Sequence, residues 1–317
     1  MRDYTFIVGP SENRERIDTL LAGKTDITRS QVQKHIASGN VFVNDEVIRQ
    51  NYKAKTGDRI LLRVAERDRE RLVPEPIPVQ VLYEDPHLIV VDKPPGMVVY
   101  PAAGHSHGTL MNALAFHCGG LDAPGGPLRP GVVHRLDKDT SGVMVIARDE
   151  KSYYGLSGQF RQRAITRRYR ALVYGSISQD TGSIEASIGR SLSDRKKMST
   201  RMKRGKEAVT TWRVLRRFRG ATLVEARLGT GRTHQIRVHF ASIGHPVLGD
   251  RTYGKKVEIE YRGRGPAIKT IAFPRQMLHA EVLGFTHPVT DEYLEFSMPP
   301  PEDMARKIEE LQGTEPS

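Results

Sequence analysis

Two short polar stretches of this sequence hold the residues best suited to chemistry. The first runs His134-Arg-Leu-Asp-Lys-Asp-Thr-Ser-Gly142 and places two carboxylates, Asp137 and Asp139, just before an apolar stretch that is predicted to be a strand, Val143–Ala147. Binding and catalytic groups are commonly built on loops at the ends of such strands. The alternative is a charged turn whose hydroxyl side chains satisfy backbone groups.

The second stretch runs Leu228-Gly-Thr-Gly-Arg-Thr-His-Gln-Ile-Arg-Val-His239 and leads into a predicted helix, Thr233–Ile243. The first-turn amides of such a helix favour an anion. His234 and Arg237 are three apart and share a helix face. His239 is five residues from His234, which argues against a zinc-binding pair with the required spacing of four. Buried among apolar residues, Arg237 would need a carboxylate partner, and the first stretch supplies one.

The composition indicates a protein that meets polyanions. The 317 residues include 49 Lys and Arg against 37 Asp and Glu, a net charge of +12. A surplus of this kind attracts nucleic acid, although solubility alone is an alternative. Neither a signal peptide nor an apolar run of the roughly 20 residues that span a membrane is visible, which predicts a cytoplasmic protein. The single cysteine, Cys118, excludes an internal disulfide and a multi-cysteine zinc site, and we interpret it as an inert small residue.

Two shifts in composition predict the domain boundaries. We expect a small first domain at 1–64, a linker at 65–78, a main domain at 79–300 and an acidic, flexible tail at 301–317. Prolines at every second position hold the end of the linker extended. In the first domain the pattern predicts a helix ending at Ser38, followed by a hairpin and a last strand. In the main domain strands and isolated helices alternate irregularly, which predicts an α+β fold around a mixed, mainly antiparallel sheet with flanking helices.

Together, the two polar stretches resemble the signature motifs of the RluA-type pseudouridine synthases. Further resemblances to that family are Asp92-Lys-Pro-Pro-Gly-Met97, Arg168-Tyr-Arg-Ala-Leu-Val-Tyr-Gly175, Gly244-His-Pro-Val-Leu-Gly-Asp250 and Leu278-His279. The first domain is similar to an S4 RNA-binding domain, a small α/β module, at Arg16–Leu21, Arg29–Val32, Gly39–Asn44 and Gly57-Asp58. These motifs occur in the expected order along most of the chain. One departure is Tyr100, at a place where family members often have a histidine.

The resemblance implies an enzyme that isomerises uridine to pseudouridine in structured RNA. It assigns Asp137 as the catalytic aspartate, Tyr169 as the residue that packs on the target base, and Arg237 as the partner of the aspartate. Arg135 would fill the place that the extracted uridine leaves in the base stack. An attacking carboxylate must be ionised, and a neighbouring arginine favours the ionised form. Whether the aspartate adds to the uracil ring, attacks the sugar carbon or acts on the sugar proton stays open at this point.

The resemblance also implies the partners of the chain. We expect 23S-type ribosomal RNA or a pre-ribosomal particle as the substrate, a monomeric enzyme, and no metal, nucleotide or other cofactor, because isomerisation requires no redox or energy input. The stretch Arg190–Lys206 holds eight basic residues and one acid, which predicts a flexible loop that grips RNA. The candidate RNA-binding residues besides Arg135 are Arg29, Gln33, Lys34, Arg195, Lys196, Lys197, Arg232 and His234.

Two other functions are compatible with parts of the pattern. A non-catalytic RNA-binding factor in ribosome assembly would keep the basic surface but would have no need of Asp137. A glycoside hydrolase or nucleosidase would need a second working carboxylate, for which Asp139 is the candidate, and would release free base. The motif favours Asp137 as the working carboxylate and Asp139 as a group that stabilises the loop.

Overall fold

The computed structural model describes residues 2–313 except positions 26, 28, 50, 65–71, 103, 192, 193, 195, 196, 203, 204, 255–257 and 263–267. The chain divides into two compact units, Met1–Arg71 and Leu72–Ser317. Each unit has its own hydrophobic core. No described helix has the length and apolar character needed to cross a membrane.

Unit 1 is a four-stranded antiparallel sheet with two short helices. Its elements are β1 (Arg2–Ile7), α1 (Ile17–Lys24), α2 (Arg29–Ala37), β2 (Val41–Val43), β3 (Glu46–Val47) and β4 (Arg59–Val64), with the strand order β1-β4-β2-β3. The hairpin and α2 were predicted, but α1 was not. Helix α1 is only eight residues long and includes Gly23, a poor helix former, so tertiary packing of buried Ile17 and Leu21 must stabilise it.

Unit 2 is built on a mixed sheet of nine strands. These are β5 (Gln80–Glu84), β6 (Leu88–Lys93), β7 (Ser141–Ala147), β8 (Thr166–Tyr174), β9 (Thr181–Glu185), β12 (Val209–Phe218), β13 (Ala221–Leu228), β16 (Leu278–Thr286) and β17 (Tyr293–Ser297). The order is β5-β6-β7-β16-β8-β13-β12-β9, with β17 also on β16. The β7–β16 pair is parallel and the other pairs are antiparallel. The predicted mixed, mainly antiparallel sheet is confirmed.

Four helices and two small hairpins complete unit 2 in the described residues. The helices are α3 (Leu110–His117), α4 (Glu150–Gln162), α5 (Gln235–Ser242) and α6 (Glu302–Gln312). The hairpins pair β10 (Gly189–Arg190) with β11 (Met198–Ser199), and β14 (Glu258–Arg262) with β15 (Ile268–Ala272). Apolar residues of α3 and α5, such as Leu114 and Phe240, join a core cluster with one face of the central strands. Buried β7 therefore carries the 134–142 loop to the middle of the sheet.

The acidic tail is a docked helix over most of its length, so the prediction of a flexible tail was wrong there. Met304 and Leu311 of α6 are fully buried, in a cluster with Phe218 and Phe273. The Arg275 guanidinium donates two hydrogen bonds to the Asp303 carboxylate, at 2.6 and 2.8 Å. The sequence allows a short helix from Glu302 to Leu311, but it does not show the apolar partners that dock this helix, since they come from other parts of the chain. Residues 314–317 lie outside the described part.

The second half of the predicted linker belongs to unit 2. Leu72 packs against the main core cluster, and the backbone of Val73 and Glu75 exchanges hydrogen bonds with Asn112 at 2.7 and 3.0 Å. Prolines keep this segment extended, and α3 supplies the partners that an isolated extended chain lacks. Positions 65–71 lie outside the described residues.

Candidate active site

Backbone contacts anchor the loop that carries Asp137. The Lys93 ammonium group donates a hydrogen bond to the carbonyl of Lys138 at 3.1 Å, and the Arg275 guanidinium donates to the carbonyl of Asp139 at 3.0 Å. The loop then enters β7 through Gly142, whose φ is +122° and whose added Cβ would collide with the backbone of β16. Glycine is therefore required there, and the loop is fixed on both sides of Asp139.

Lys93 is a fully buried lysine that sequence reasoning did not assign to the site. Its ammonium group also donates to the carbonyls of Pro94 and Met97, at 2.8 and 2.9 Å. Burial lowers the pKa of Lys93 to about 7. Three carbonyl acceptors supply the hydrogen bonds that a buried ammonium requires. The pattern Asp92-Lys-Pro-Pro-Gly was the available signal, but its lysine could equally have been a surface residue.

The predicted pair of Asp137 and Arg237 is present. The Nη1 of Arg237 donates to Oδ2 of Asp137 at 2.7 Å, while Nε and Nη2 donate to the two oxygens of Asp250 at 2.7 and 3.0 Å. The Arg237 side chain is 7% exposed, Asp250 is 0% exposed and Asp137 is 16% exposed. Burial opposes the charge of Arg237, but the hydrogen bonds to Asp250 and the charge of Asp137 outweigh it and raise the pKa of the arginine.

Asp250 is the functional residue that sequence reasoning missed. Gly249 precedes it with φ +75°, a position where a side chain would collide with the carbonyl of Arg275. The Asp250 carboxylate also accepts from the amides of Thr252 and Tyr253, at 2.8 and 3.2 Å. The Gly-Asp pair that ends the 244–250 motif was the available signal. Asp250 thus fixes the side of Arg237 that points away from Asp137.

Tyr169 lies on β8 in the core cluster that faces α5, and its side chain is buried. Its neighbours in register are small, Ala226 on β13 and Ala280 on β16. Burial raises the pKa of Tyr169, the charge of Arg167 opposes this shift, and the negative charge of Asp137 adds to it. The phenol is therefore neutral at pH 7, and its partners on the two neighbouring strands are small.

His234 adjoins the other oxygen of Asp137. Helix α5 begins at Gln235, two residues later than predicted, because His234 takes a left-handed conformation with φ +57° as the N-cap. The ring Nε2 lies 3.6 Å from Oδ1 of Asp137, and Nδ1 lies 2.6 Å from the Tyr253 hydroxyl. Burial lowers the pKa of His234, so the ring is neutral at pH 7. Among the described residues, no group of three or more His, Cys, Asp and Glu could hold a metal ion.

Arg135 is exposed beside the site and is held by Tyr100. Its Nη1 donates to the Tyr100 hydroxyl at 3.0 Å, and the guanidinium lies 5.5 Å from the centre of that ring. Arg129 stacks on the same ring at 5.8 Å. The residue that departs from the family pattern is thus the one that orients the candidate arginine, through a cation–π contact and a hydrogen bond.

In unit 1, the candidate RNA-binding residues surround a buried carboxylate. Asp18 is 0% exposed and accepts from Arg16, Arg29 and Gln33, at 3.0, 3.0 and 2.7 Å. The hydrogen bond from Arg16, together with those from Gln33 and Arg29, holds the pKa of Asp18 well below its usual range. Lys34, on the same helix, is exposed. Sequence reasoning found Arg29, Gln33 and Lys34 but not the aspartate that orients two of them.

The basic stretch Arg190–Lys206 is more ordered than predicted in the part that the structure describes. Strands β10 and β11 pair across it, and Lys206 forms a bridge with buried Ile188. Backbone pairing at both ends replaces the apolar core that the sequence lacks. Lys197 is 45% exposed, while Arg195 and Lys196 lie outside the described residues. Arg232 donates a hydrogen bond to the carbonyl of Glu207, at 3.3 Å.

Comparison with known proteins places this geometry in context. The family model for RNA pseudouridylate synthase matches residues 87–242, and that for the S4 domain matches residues 15–60. An uncharacterised RNA pseudouridine synthase of Bacillus subtilis is 45% identical over 98% of this chain and 99% of its own. The ribosomal large subunit pseudouridine synthase D of Zymomonas mobilis is 42% identical, with 91% of each chain covered. The solved structure of human RNA pseudouridylate synthase domain containing 4 is 26% identical with a TM-score of 0.55, covering 74% of this chain and 93% of that one.

Proposed function

The chain belongs to the RNA pseudouridylate synthase family, and from that premise we propose that it isomerises uridines of large-subunit ribosomal RNA with Asp137 as its catalytic residue. The reaction breaks the bond between N1 of uracil and the ribose, turns the base and joins its C5 to the ribose. One proton leaves C5 and one is gained at N1, so the atoms balance without an oxidant or an energy source. The protein must therefore supply a fixed carboxylate, a site that holds the detached base, and a group that helps to extract the uridine from its stack.

The observation that carries the proposal is the asymmetric binding of the Asp137 carboxylate. Arg237 binds Oδ2 at 2.7 Å and is itself held by Asp250, whereas Oδ1 is 3.6 Å from His234. One oxygen is thus fixed by the arginine, while the other can reach the substrate. A carboxylate held in this way is pre-organised for attack or proton removal at the ribose or the base.

Tyr169 is suited to receive the uracil ring. Its phenol is neutral and its neighbouring strands place alanines beside it, so an aromatic face is free of large side chains from those strands. Stacking of a base on an aromatic side chain is worth roughly 1–3 kcal/mol. We assign Tyr169 to holding the base while it turns, next to Asp137.

Arg135 is suited to the extraction step. A uridine in folded RNA must leave its stack before its glycosidic bond is reachable, which costs a few kcal/mol. The Arg135 guanidinium is planar, exposed and already stacked on Tyr100. A cation held against one aromatic ring can take the place of a base between its neighbours, and we assign that role to Arg135.

Both units contribute features that suit a large RNA. A relative that is 42% identical carries the name of ribosomal large subunit pseudouridine synthase D. The S4 match adds a second candidate RNA-binding surface. We assign Arg29, Gln33, Lys34, Arg232, His234 and the basic stretch with Arg195, Lys196 and Lys197 to the RNA interface. An enzyme with such a substrate acts where ribosomes are assembled, in the cytoplasm. We expect it to act as a monomer and without a nucleotide cofactor.

The site geometry disfavours the hydrolase alternative. An inverting or retaining hydrolase needs two reachable carboxylates. Asp250 is fully buried with both oxygens occupied, so it cannot serve as the second working carboxylate beside Asp137. A non-catalytic assembly factor would not require the buried arginine that holds Asp137 in place.

The test is incubation of the purified chain with transcripts of large-subunit and small-subunit ribosomal RNA, followed by mapping of pseudouridine at single-nucleotide resolution. We expect pseudouridine at discrete sites of the large-subunit RNA, with no release of free uracil. Modification confined to the small-subunit transcript or to transfer RNA would overturn the substrate assignment. Free uracil as the product would overturn the isomerase mechanism.

A further inference from the structure

Tyr253 is the residue at which the active site meets the β10–β11 hairpin. Its hydroxyl accepts a hydrogen bond from the backbone amide of Met198 in β11, at 2.9 Å, and lies 2.6 Å from Nδ1 of His234. The guanidinium of Arg237 lies 5.1 Å from the centre of its ring. Tyr253 thus contacts the hairpin and both groups that face the Asp137 carboxylate.

The hydrogen bonds of Tyr253 determine where His234 carries its proton. A phenol has one hydrogen to donate. The Met198 amide can only donate, so the phenol oxygen accepts from it. Of these two contacts of the hydroxyl, only the one with Nδ1 of His234 offers an acceptor for the phenol hydrogen. Nδ1 is then an acceptor, and the neutral imidazole must carry its hydrogen on Nε2.

The Nε2–H tautomer of His234 gives a favourable electrostatic interaction with Asp137. Nε2 of His234 faces Oδ1 of Asp137 at 3.6 Å. A hydrogen on Nε2 points a positive dipole at the carboxylate oxygen that Arg237 leaves unbound. In the other tautomer, the lone pair of Nε2 would face that oxygen, and two electron-rich atoms would repel each other in a poorly solvated site.

We propose that Tyr253 is a positioning residue for the isomerisation. It fixes His234 as the Nε2–H tautomer, and it connects the position of the β10–β11 hairpin with the orientation of the Asp137 carboxylate. This inference rests on the proposed function. Lys197 immediately precedes Met198, and Met198 pairs with Arg190 of β10. RNA that binds the basic side chains of the hairpin would therefore contact the same strand, β11, whose Met198 amide donates to Tyr253.

The first experiment needs no RNA. The ring nitrogens of the full-length protein, labelled with ¹⁵N-histidine, are read by NMR at pH 7.5, and the His234 signals are identified by their loss in His234→Gln. We expect Nδ1 to resonate as an unprotonated nitrogen and Nε2 as a protonated one. In Tyr253→Phe, which keeps the ring and loses the hydroxyl, we expect a mixture of tautomers. Tyr83→Phe is the matched control, because it removes a hydroxyl bound to Asp85 at 2.8 Å.

The second experiment measures turnover of the wild type, Tyr253→Phe and Tyr83→Phe on a substrate RNA. For Tyr253→Phe we expect kcat to fall by about three- to tenfold, the range of one net hydrogen bond, while KM changes by less than about twofold. We expect Tyr83→Phe to match the wild type in both constants. A fall of kcat with constant KM separates a positioning role from a general loss of RNA binding.

Three results would overturn the proposal. They are a wild-type His234 with its hydrogen on Nδ1, an unchanged tautomer in Tyr253→Phe, and an equal loss of kcat in Tyr83→Phe. The wild-type spectrum decides the tautomer even if Tyr253→Phe does not fold. Because that spectrum requires no substrate, a wild type that forms no pseudouridine would count against the proposed function and not against the tautomer.

Discussion

Both units of the molecule bury one partner of an aspartate–arginine cluster, but they bury opposite partners. In unit 2 the arginine is buried, with Arg237 7% exposed, and Asp137 is 16% exposed. In unit 1 the aspartate is buried, with Asp18 0% exposed, while Arg16 and Arg29 are 47% and 54% exposed. The same ion pair therefore presents a carboxylate at one place and guanidinium groups at the other.

From this difference we infer that the buried partner sets the geometry and leaves the more accessible partner available to a ligand. A buried charge is stable only if its hydrogen bonds are satisfied. Arg237 meets that condition through Asp137 and Asp250, and Asp18 meets it through two arginines and Gln33. A carboxylate presented in this way can do chemistry, and a pair of arginines presented in this way can bind phosphate.

The largest expected effect is at the half-buried carboxylate of unit 2, Asp137. We expect Asp137→Asn to lower turnover by more than about 10⁴-fold, the scale of losing a group that acts in the chemical step, with RNA affinity within a few-fold of the wild type. Single-turnover assays and filter binding measure the two quantities. Asp139→Asn makes the same change two residues along the loop and should keep most of the activity. Substantial turnover by Asp137→Asn would remove Asp137 from the chemistry.

Removal of the buried partner in unit 2 should affect folding as well as activity. Arg237→Met leaves Asp250 buried without its cation, and stranding a buried charge typically costs about 3–5 kcal/mol. We expect a loss of that size in urea unfolding, together with a large loss of turnover. Arg306→Met is the control, because Arg306 is 64% exposed beside Glu302, which is 84% exposed, and surface pairs are worth about 0–1 kcal/mol. Equal stability of the two variants would contradict the buried-partner interpretation.

The two units should also respond differently to acid. Burial lowers the pKa of His134 in unit 2 to about 3. As the pH falls, this histidine therefore binds a proton in the unfolded protein at a higher pH than in the folded protein. The stability of its neutral form is fully present above about pH 6.5 and is lost as the pH falls towards 3. Hydrogen bonds to arginines lower the pKa of Asp18 in unit 1, so its contribution is present above about pH 3.9 and is lost only below that value.

Urea titrations at pH 7.5, 5.5 and 4.5 measure this difference. Trp212, the single tryptophan, is buried in unit 2 and reports that unit by fluorescence, while pulsed hydrogen exchange of peptides from 1–64 reports unit 1. We expect the urea midpoint of unit 2 to fall between pH 7.5 and 4.5 and to fall less in His134→Gln, which keeps an acceptor for the Val145 amide. A midpoint of unit 1 that falls in parallel would contradict the assignment.

The contrast between the units also shows what sequence can predict. The more accessible partners, Asp137 and Arg29, stand in recognisable polar motifs, and the Asp137–Arg237 pair follows from the need of a buried arginine for a carboxylate. The buried supports, Asp250 and Lys93, were quoted in motifs but received no role. Their function depends on which backbone and side-chain groups the fold brings beside them, and these come from positions far apart in the chain. The docked tail was missed for the same reason, since its partner strands lie elsewhere in sequence.

A smaller effect is expected at the buried partner of unit 1. Asp18→Asn removes a negative charge near the RNA surface, so electrostatics alone would strengthen binding. If Asp18 instead serves to orient Arg16 and Arg29, binding should weaken, and we expect a loss of about three- to tenfold in affinity with saturated turnover unchanged. Asp45→Asn makes the same charge change at a side chain that is 73% exposed, and should leave affinity equal or slightly higher. Tighter binding by Asp18→Asn would show that net charge, not orientation, governs this surface.

The smallest effect is expected at Lys197, which has no buried partner. Its side chain is 45% exposed, and its ammonium group lies 3.9 Å from the Asp194 carboxylate, too far for a hydrogen bond, so we expect it to meet RNA as a point charge. Lys197→Ala should lower the log–log salt slope of binding to single-stranded RNA by roughly 0.7, the value for one phosphate contact, and leave kcat unchanged because the Met198 amide remains. Lys307→Ala, on α6 beside Glu310, is the control and should keep the wild-type slope. An unchanged slope for Lys197→Ala would remove this lysine from the RNA interface, and a lowered kcat would mean that the hairpin acts on the site through its cations as well as through its backbone.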